Sequence, residues 1–94
     1  MITRIVKMTF KPEKIDVFME IFTTYQKQIR AFDGCNGVDL MKDLNNECIF
    51  FTLSLWHTEE DLNAYRESYI FKNTWSKVKP MFSESAEAWS LISS

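Results

Sequence analysis

Residues 48–66 read CIFFTLSLWHTEEDLNAYR and place a strand pattern directly before a helix start. Apolar residues fill both alternating faces of the first half: Ile49, Phe51, Leu53 and Leu55 on one, Phe50 and Trp56 on the other. In the second half, Thr58 is a helix N-cap, and Asp61 stands in for the usual Glu or Gln of a capping box. The segment predicts a strand buried on both faces, then a helix that begins after Thr58.

The sequence before this segment predicts a strand, a helix and a second strand. Residues 2–10 alternate, with Ile2, Val6, Met8 and Phe10 on one face, which Arg4 interrupts. Between residues 12 and 32, apolar residues recur at spacings of three and four, and Gly34 follows as a stop signal. Residues 35–44 contain strand formers, and a turn over 43–47 joins them to the strand at 48–56 as a hairpin.

After Thr58, the apolar stripe slips by one residue near Ser68, which predicts two helical pieces with Ser68 as the cap of the second. Residues 86–92 form a last strand. The resulting order, βαββαβ, predicts an α+β ferredoxin-like domain over residues 1–94, an antiparallel sheet with helices on one face. The open face is expected to pack against a second copy, giving a homodimer that Phe50 and Trp56 help to seal.

Composition limits the function classes. Eight Phe, three Trp and three Tyr are more rings than one core of 94 residues needs, so some should line a cavity or an interface. A net charge of −2 disfavours nucleic-acid and membrane partners, which select basic patches. The two cysteines do not form a disulfide scaffold, and no apolar run reaches the ~20 residues of a membrane span. We expect a cytoplasmic protein.

Two residues stand out for chemistry. His57, the only histidine, follows the strand at 48–56 and could act as a general base, or it could be a surface histidine bonded to the helix start. Arg4 could stabilise a phenolate or enolate, or pair with a carboxylate at the sheet edge. Arg66 is expected to face away from the core. With no glycine-rich phosphate loop, nucleophile elbow or metal-ligand cluster, we expect no metal or other cofactor.

The run from Phe50 to Arg66, followed by Ser68–Phe71 and Trp75, resembles the antibiotic biosynthesis monooxygenase family. The shared pattern is a strand ending in Trp, a Thr-Glu-Glu helix start, an aromatic-basic pair, a Ser-x-x-Phe helix and a closing Glu-Ala-Trp strand. The resemblance implies a dimeric α+β barrel with a hydrophobic cavity in each subunit. It also implies cofactor-independent oxidation of a quinol or polycyclic phenol by O₂. A haem-degrading branch has an axial His where this chain has Trp75, so haem degradation is disfavoured.

On the oxygenase hypothesis, the small aromatic substrate needs a base, a group that steadies its anion, and apolar walls. We expect His57 to be the base and Tyr65 or Arg4 to steady the anion. The expected substrate-binding walls are Phe22, Tyr25, Phe51 and Trp75. The alternative is a non-catalytic module that binds an apolar ligand in the same cavity, and an isomerase is a third choice.

Overall fold

The chain forms a four-stranded antiparallel sheet with three helices, in a computed structural model that describes residues 1–94. The elements in chain order are β1 (Ile2–Thr9), α1 (Ile15–Arg30), β2 (Cys35–Lys42), β3 (Ile49–Trp56), α2 (Glu59–Arg66), α3 (Tyr69–Val78) and β4 (Glu87–Leu91). The strand order is β2-β3-β1-β4. This arrangement confirms the predicted α+β ferredoxin-like fold.

The side-chain hydroxyls of Thr58 and Ser68 cap the N-termini of α2 and α3. The Thr58 Oγ1 atom accepts a hydrogen bond from the Asp61 N–H at 3.1 Å, and Ser68 Oγ accepts one from the Phe71 N–H at 3.2 Å. Each bond satisfies a backbone donor that a helix N-terminus leaves free. The helical region after Thr58 is therefore divided at Ser68, as the slip in the apolar stripe predicts.

Gly34 connects the end of α1 to β2 and lies against the first turn of α2. Its φ of +84° lies in the left-handed region, and a Cβ atom placed there would be 2.3 Å from the Asp61 Cγ atom. The Gly34 carbonyl accepts a hydrogen bond from the His57 N–H at 2.9 Å. A glycine is required here both by the backbone conformation and by the close approach of α2.

The register of the sheet fixes which strand residues face the helices. Met8 of β1 pairs with Phe50 of β3, and Ile2 pairs with Trp56, so these side chains share one face. The buried core lies between that face and the helices and consists of Met8, Phe10, Phe18, Phe22, Ile29, Val38, Phe50, Trp56, Leu62 and Val78. Phe10 and Trp56 are the largest fully buried side chains.

The expected place of Phe50 and Trp56 at a dimer surface is wrong. Both are buried under the helices, with exposed fractions of 4% and 0%. Because successive side chains of a strand point to opposite faces, the open face instead carries their neighbours in β3, which are Ile49, Phe51, Leu53 and Leu55. Both faces of β3 are apolar in sequence, and only the pairing with Met8 of β1 shows which one the helices cover.

The open face of the sheet remains strongly apolar. Ile5 of β1 lies between Leu53 of β3 and Trp89 of β4, and Phe51 of β3 pairs with Met41 of β2. Met41 and Trp89 are 49% and 43% exposed. No helix of the chain combines the length and the hydropathy needed to cross a membrane.

Candidate active site

A cavity of about 340 Å³ lies between the helix-facing side of the sheet and the helices. Thirteen of its nineteen lining residues are hydrophobic, and they come from the sheet and from all three helices. The volume is at the lower end of the range of roughly 300–1,000 Å³ that is usual for small-molecule sites. The cavity is therefore suited to one small, mainly apolar ligand.

Aromatic rings form much of the apolar wall. Phe22 lines the cavity from α1, and Phe71 and Trp75 line it from α3. The rings of Phe71 and Trp75 stack nearly parallel, with centroids 5.9 Å apart and planes 9° from each other. Since the two residues are four positions apart on one helix, this pair gives the cavity a flat face on which a planar ligand can lie.

Tyr65 of α2 presents a protonated hydroxyl in the cavity. Its ring stacks on Trp56 at 4.8 Å and meets Phe32 and Phe71 edge-on at 5.6 and 5.3 Å, so the surrounding rings hold its orientation. Burial, with a smaller contribution from Cys35, raises the pKa of Tyr65 well above its usual range. The phenol therefore stays neutral at ordinary pH and can donate a hydrogen bond to a ligand.

Ser54 supports this stack from β3. The buried Trp56 Nε1–H donates to Ser54 Oγ at 3.0 Å, which fixes the indole on which Tyr65 packs. Ser54 also lines the cavity. A buried polar group on β3 thus connects the core to the position of the Tyr65 ring.

Arg4 brings a positive charge into the cavity wall. Its guanidinium donates to Ser90 Oγ at 2.9 Å, a neutral acceptor. Burial, and secondarily the charge of Arg66, lower the pKa of Arg4. The ion pairs of the chain are Lys7–Glu87, Arg30–Asp39 and Lys72–Glu67, so no carboxylate pairs with Arg4 or Arg66. The charge of Arg4 remains available to an anionic ligand.

Arg66 lies on the exposed rim of the same cavity, which corrects the expectation that it faces away from the core. The available sequence signal is its spacing from Leu62, since residues four apart share one side of a helix. Leu62 is buried and also lines the cavity. Arg66 therefore belongs to the candidate site, although the sequence interpretation gave it no role.

Four of the seven predicted site residues line this cavity together: Arg4, Phe22, Tyr65 and Trp75. Three do not line it: Tyr25, Phe51 and His57. The first group contains an arginine, a phenol and two apolar walls. The structure therefore brings together an anion-binding group and an aromatic surface, without the imidazole that was expected beside them.

His57 is exposed at the end of β3, and its backbone N–H bonds to the Gly34 carbonyl at 2.9 Å. Its position follows from strand alternation, because Trp56 points under the helices and the next residue points away. The same alternation places Phe51 on the open face of the sheet. The cavity therefore receives neither side chain.

Tyr25 has a structural contact of its own between α1 and α3. Its hydroxyl oxygen accepts hydrogen bonds from Asn73 Nδ2 at 2.8 Å and from Lys77 Nζ at 2.9 Å. The bond to Tyr25 raises the pKa of Lys77. These contacts engage the polar end of Tyr25 outside the cavity and explain why its helical spacing did not place it in the wall.

Thr74 of α3 is a further cavity residue that the sequence gave no reason to select. Its Oγ1 atom is buried and has no hydrogen-bond partner in the chain. Buried hydroxyls in folded proteins nearly always have a partner, so the unpaired Thr74 hydroxyl is an exception beside the cavity. Glu87 of β4 also borders the cavity, but its pairing with Lys7 places its carboxylate on the open face of the sheet, 3.8 Å from Lys7 Nζ.

Comparison with known proteins identifies a matching family and several solved structures with the same fold. Residues 1–76 match the sequence profile of the antibiotic biosynthesis monooxygenase family. A solved antibiotic biosynthesis monooxygenase superposes with a TM-score of 0.93 at 17% identity, covering 100% of this chain and 99% of that one. A conserved protein from Methanosarcina mazei Go1 gives 0.90 at 24% identity, covering 96% and 90%.

The protein Rv0793 from Mycobacterium tuberculosis also superposes, with a TM-score of 0.90 at 16% identity over 98% of this chain and 93% of its own. At such low identity these structures establish a shared fold. No sequence among curated proteins matches the chain.

Proposed function

Because this chain belongs to the antibiotic biosynthesis monooxygenase family, we propose that it oxidises a quinol or other phenolic ring with O₂ and without a cofactor. The observation that carries the proposal is the combination of an apolar, ring-lined cavity with Arg4 and Tyr65 in its wall. An apolar enclosure favours a planar aromatic substrate. The two polar groups suit the anion that such a substrate forms on losing its phenolic proton.

In the first step, the substrate ring lies against Phe22 and Trp75, and its phenolic oxygen faces Arg4. The guanidinium lowers the pKa of the phenol, because a nearby positive charge favours the anion. The proton passes to water at the open rim. The neutral Tyr65 hydroxyl donates a hydrogen bond to the phenolate and limits the cost of holding a charge among apolar groups.

In the redox step, the phenolate gives one electron to O₂, producing a phenoxyl radical and superoxide. The two radicals combine at a ring carbon, so a C–O bond forms, and protonation gives a ring hydroperoxide. Loss of the ring C–H proton and cleavage of the O–O bond then release water and leave a carbonyl. One oxygen atom of O₂ enters the quinone product and the other leaves as water.

Oxygen uptake with 1-naphthol tests this proposal, with ¹⁸O₂ to follow the oxygen atoms. We expect 1,4-naphthoquinone that carries one labelled atom, formed without added metal or flavin. Arg4→Gln should lower kcat/KM by about 10²-fold, the usual effect of removing an anion-stabilising donor. His57→Ala, which changes a residue outside the cavity, is the matched control and should keep the wild-type rate.

A non-catalytic binding module is the second candidate, and one observation favours it. The cavity is lined by no histidine, and the Glu87 carboxylate lies with Lys7 on the open face of the sheet, so no free general base faces the ligand. Binding of 1-naphthol without oxygen uptake would support this candidate and contradict the oxidation. Unlabelled quinone in the ¹⁸O₂ experiment would also count against direct oxygen insertion.

We further propose that the single domain of residues 1–94 forms a homodimer through its open sheet face. The support is the set of apolar pairs on that face, Met41 with Phe51 and Ile5 with both Leu53 and Trp89, although Lys7 and Glu87 lie beside them. Burying a continuous apolar face is favourable by about 25 cal/mol for each Å² removed from water. An exposed apolar sheet of this kind is typical of an association surface.

Analytical ultracentrifugation at micromolar concentration tests the dimer. Wild-type protein should sediment as a dimer, and Phe51→Glu should shift it to a monomer because it places a charge in the apolar interface. Val17→Glu, on the 42% exposed side chain of Val17 in α1, is the matched control and should remain dimeric. A monomeric wild type would refute the proposal.

A further inference from the structure

We propose that the cavity selects an aromatic carboxylate, a phenolic ring that carries a carboxyl group next to its hydroxyl, and that Arg66 binds this carboxylate. The inference deepens the proposed oxidation and uses the same cavity. The carboxylate is the substituent that the ligand presents to the rim of the cavity, whereas the proposed oxidation takes place through the phenolic oxygen. Arg66 is thereby a specificity-determining residue.

The cavity lining carries two positive charges. Arg4 and Arg66 both line the cavity, and they are close enough for the charge of Arg66 to lower the pKa of Arg4. Two like charges beside an apolar space repel each other, and no carboxylate of the chain forms an ion pair with either. A ligand with a negative group supplies the missing counter-charge.

Polar groups in and beside the cavity lining lack partners within the chain. The Thr74 hydroxyl is buried in the cavity wall without a hydrogen bond. A purely hydrocarbon ligand would leave Arg4 and Arg66 without a counter-charge and would exclude water from the partly buried Arg4 guanidinium, which is unfavourable. A ring with polar substituents meets these groups while its apolar surface contacts Phe22 and Trp75.

An arginine at the rim of the cavity is chemically suited to bind a carboxylate. Arg66 is exposed and makes no ion pair within the chain, so its planar guanidinium can bind a carboxylate through two parallel hydrogen bonds. With Arg4 assigned to the phenolic oxygen, Arg66 is the remaining cation of the cavity lining for a carboxylate on the same ring. One small ligand then pairs with both positive charges, those of Arg4 and Arg66.

Isothermal titration calorimetry under nitrogen tests the inference with two probes that differ by one carboxylate, 1-hydroxy-2-naphthoate and 1-naphthol. Wild-type protein should bind the naphthoate about tenfold more tightly, as expected for a charge-assisted contact. Arg66→Gln should weaken naphthoate binding about tenfold and leave naphthol binding unchanged. Arg66→Lys should keep part of the preference because it keeps the charge without the planar fork.

Lys27→Gln is the charge-matched control, since it removes one positive charge from an exposed position outside the cavity. It should leave the binding of both probes unchanged. The proposal is overturned if wild-type protein binds the two probes equally, or if Arg66→Gln weakens both to the same extent. It is also overturned if Lys27→Gln removes the preference, because the effect would then be long-range charge alone.

Excluding O₂ separates this result from the proposed oxidation. A naphthoate preference without turnover in air would retain the carboxylate site and reject the oxygenase. Oxidation of 1-naphthol in air without a naphthoate preference would retain the oxygenase and reject the carboxylate site.

Discussion

The two ends of the space between sheet and helices differ sharply in how they are filled. At one end, Phe10 is fully buried, stacks on Phe18 at 4.2 Å and meets Phe50 edge-on at 5.8 Å. At the other end, Arg4 borders a cavity of about 340 Å³. Phe10 and Arg4 lie on the same face of the sheet, six positions apart, which is about 20 Å of extended chain.

The contrast shows that one strand can supply both a closed core and an open site. A phenylalanine gains free energy when neighbouring rings close around it, whereas a guanidinium loses hydration and needs an acceptor. Arg4 finds only Ser90 as a hydrogen-bond acceptor, so its surroundings stay open on one side. Mutations at the two ends should therefore have different energetic consequences.

The largest expected effect is at the closed end. Phe10→Ala should lower the free energy of unfolding by about 3–5 kcal/mol, because it leaves a cavity among the rings of Phe18, Phe50 and Phe82. Urea denaturation measures the change. Leu44→Ala is the matched control, since Leu44 is 94% exposed, and should cost under about 0.5 kcal/mol. A small effect of Phe10→Ala would mean that this end is no better packed than the other.

An intermediate effect is expected at Ser54, where core and cavity meet. Ser54→Ala removes the acceptor of the buried Trp56 N–H and should cost about 1–3 kcal/mol in unfolding free energy. Ser76→Ala, at an exposed serine of α3, should be nearly neutral. Near-UV circular dichroism should also change for Ser54→Ala because the indole loses its anchor. Unchanged stability would show that the indole N–H finds another acceptor.

The smallest effect concerns pH at the cavity end. The folded protein raises the pKa of Tyr65, so above pH about 10 the unfolded chain loses this proton while the folded chain keeps it. Stability is unaffected below that pH and should fall above it, by at most about 1.4 kcal/mol per pH unit from this group. Tyr65→Phe should remove this part of the alkaline loss in urea titrations at pH 8 to 11.

Tyr69→Phe provides the control for this measurement, because the Tyr69 side chain is 80% exposed. The Tyr69→Phe variant should keep the wild-type slope of unfolding free energy against pH. If Tyr65→Phe shows the same pH dependence of unfolding free energy as the wild type, the surroundings of Tyr65 are as hydrated as the protein surface.

Local sequence patterns were sufficient to predict most of the fold. The caps at Thr58 and Ser68, the stop at Gly34 and the alternation in β1 all depend on residues close together in sequence, and each matches the structure. The break in apolar alternation at Arg4 was also the correct signal for a cavity residue. Such signals are readable because their physical causes act within one turn or one strand.

The site was harder to predict because its residues come from separate elements. Phe51 and His57 depend on which face of β3 the helices cover, and both faces of that strand are apolar or neutral in sequence. Tyr25 had the right helical spacing, but Asn73 and Lys77 hold its hydroxyl elsewhere. Arg66 and Thr74 carry no sequence signal of their own beyond helical spacing.

The order of strands and helices, the helix limits and the excess of aromatic rings are properties of the sequence, because hydrophobic period, capping and turn chemistry are local. The covered face of β3, the stack of Tyr65 on Trp56 and the gathering of Arg4, Arg66 and Thr74 around one cavity are properties of the tertiary structure. They depend on strand register and helix packing, which join residues that are distant in the chain.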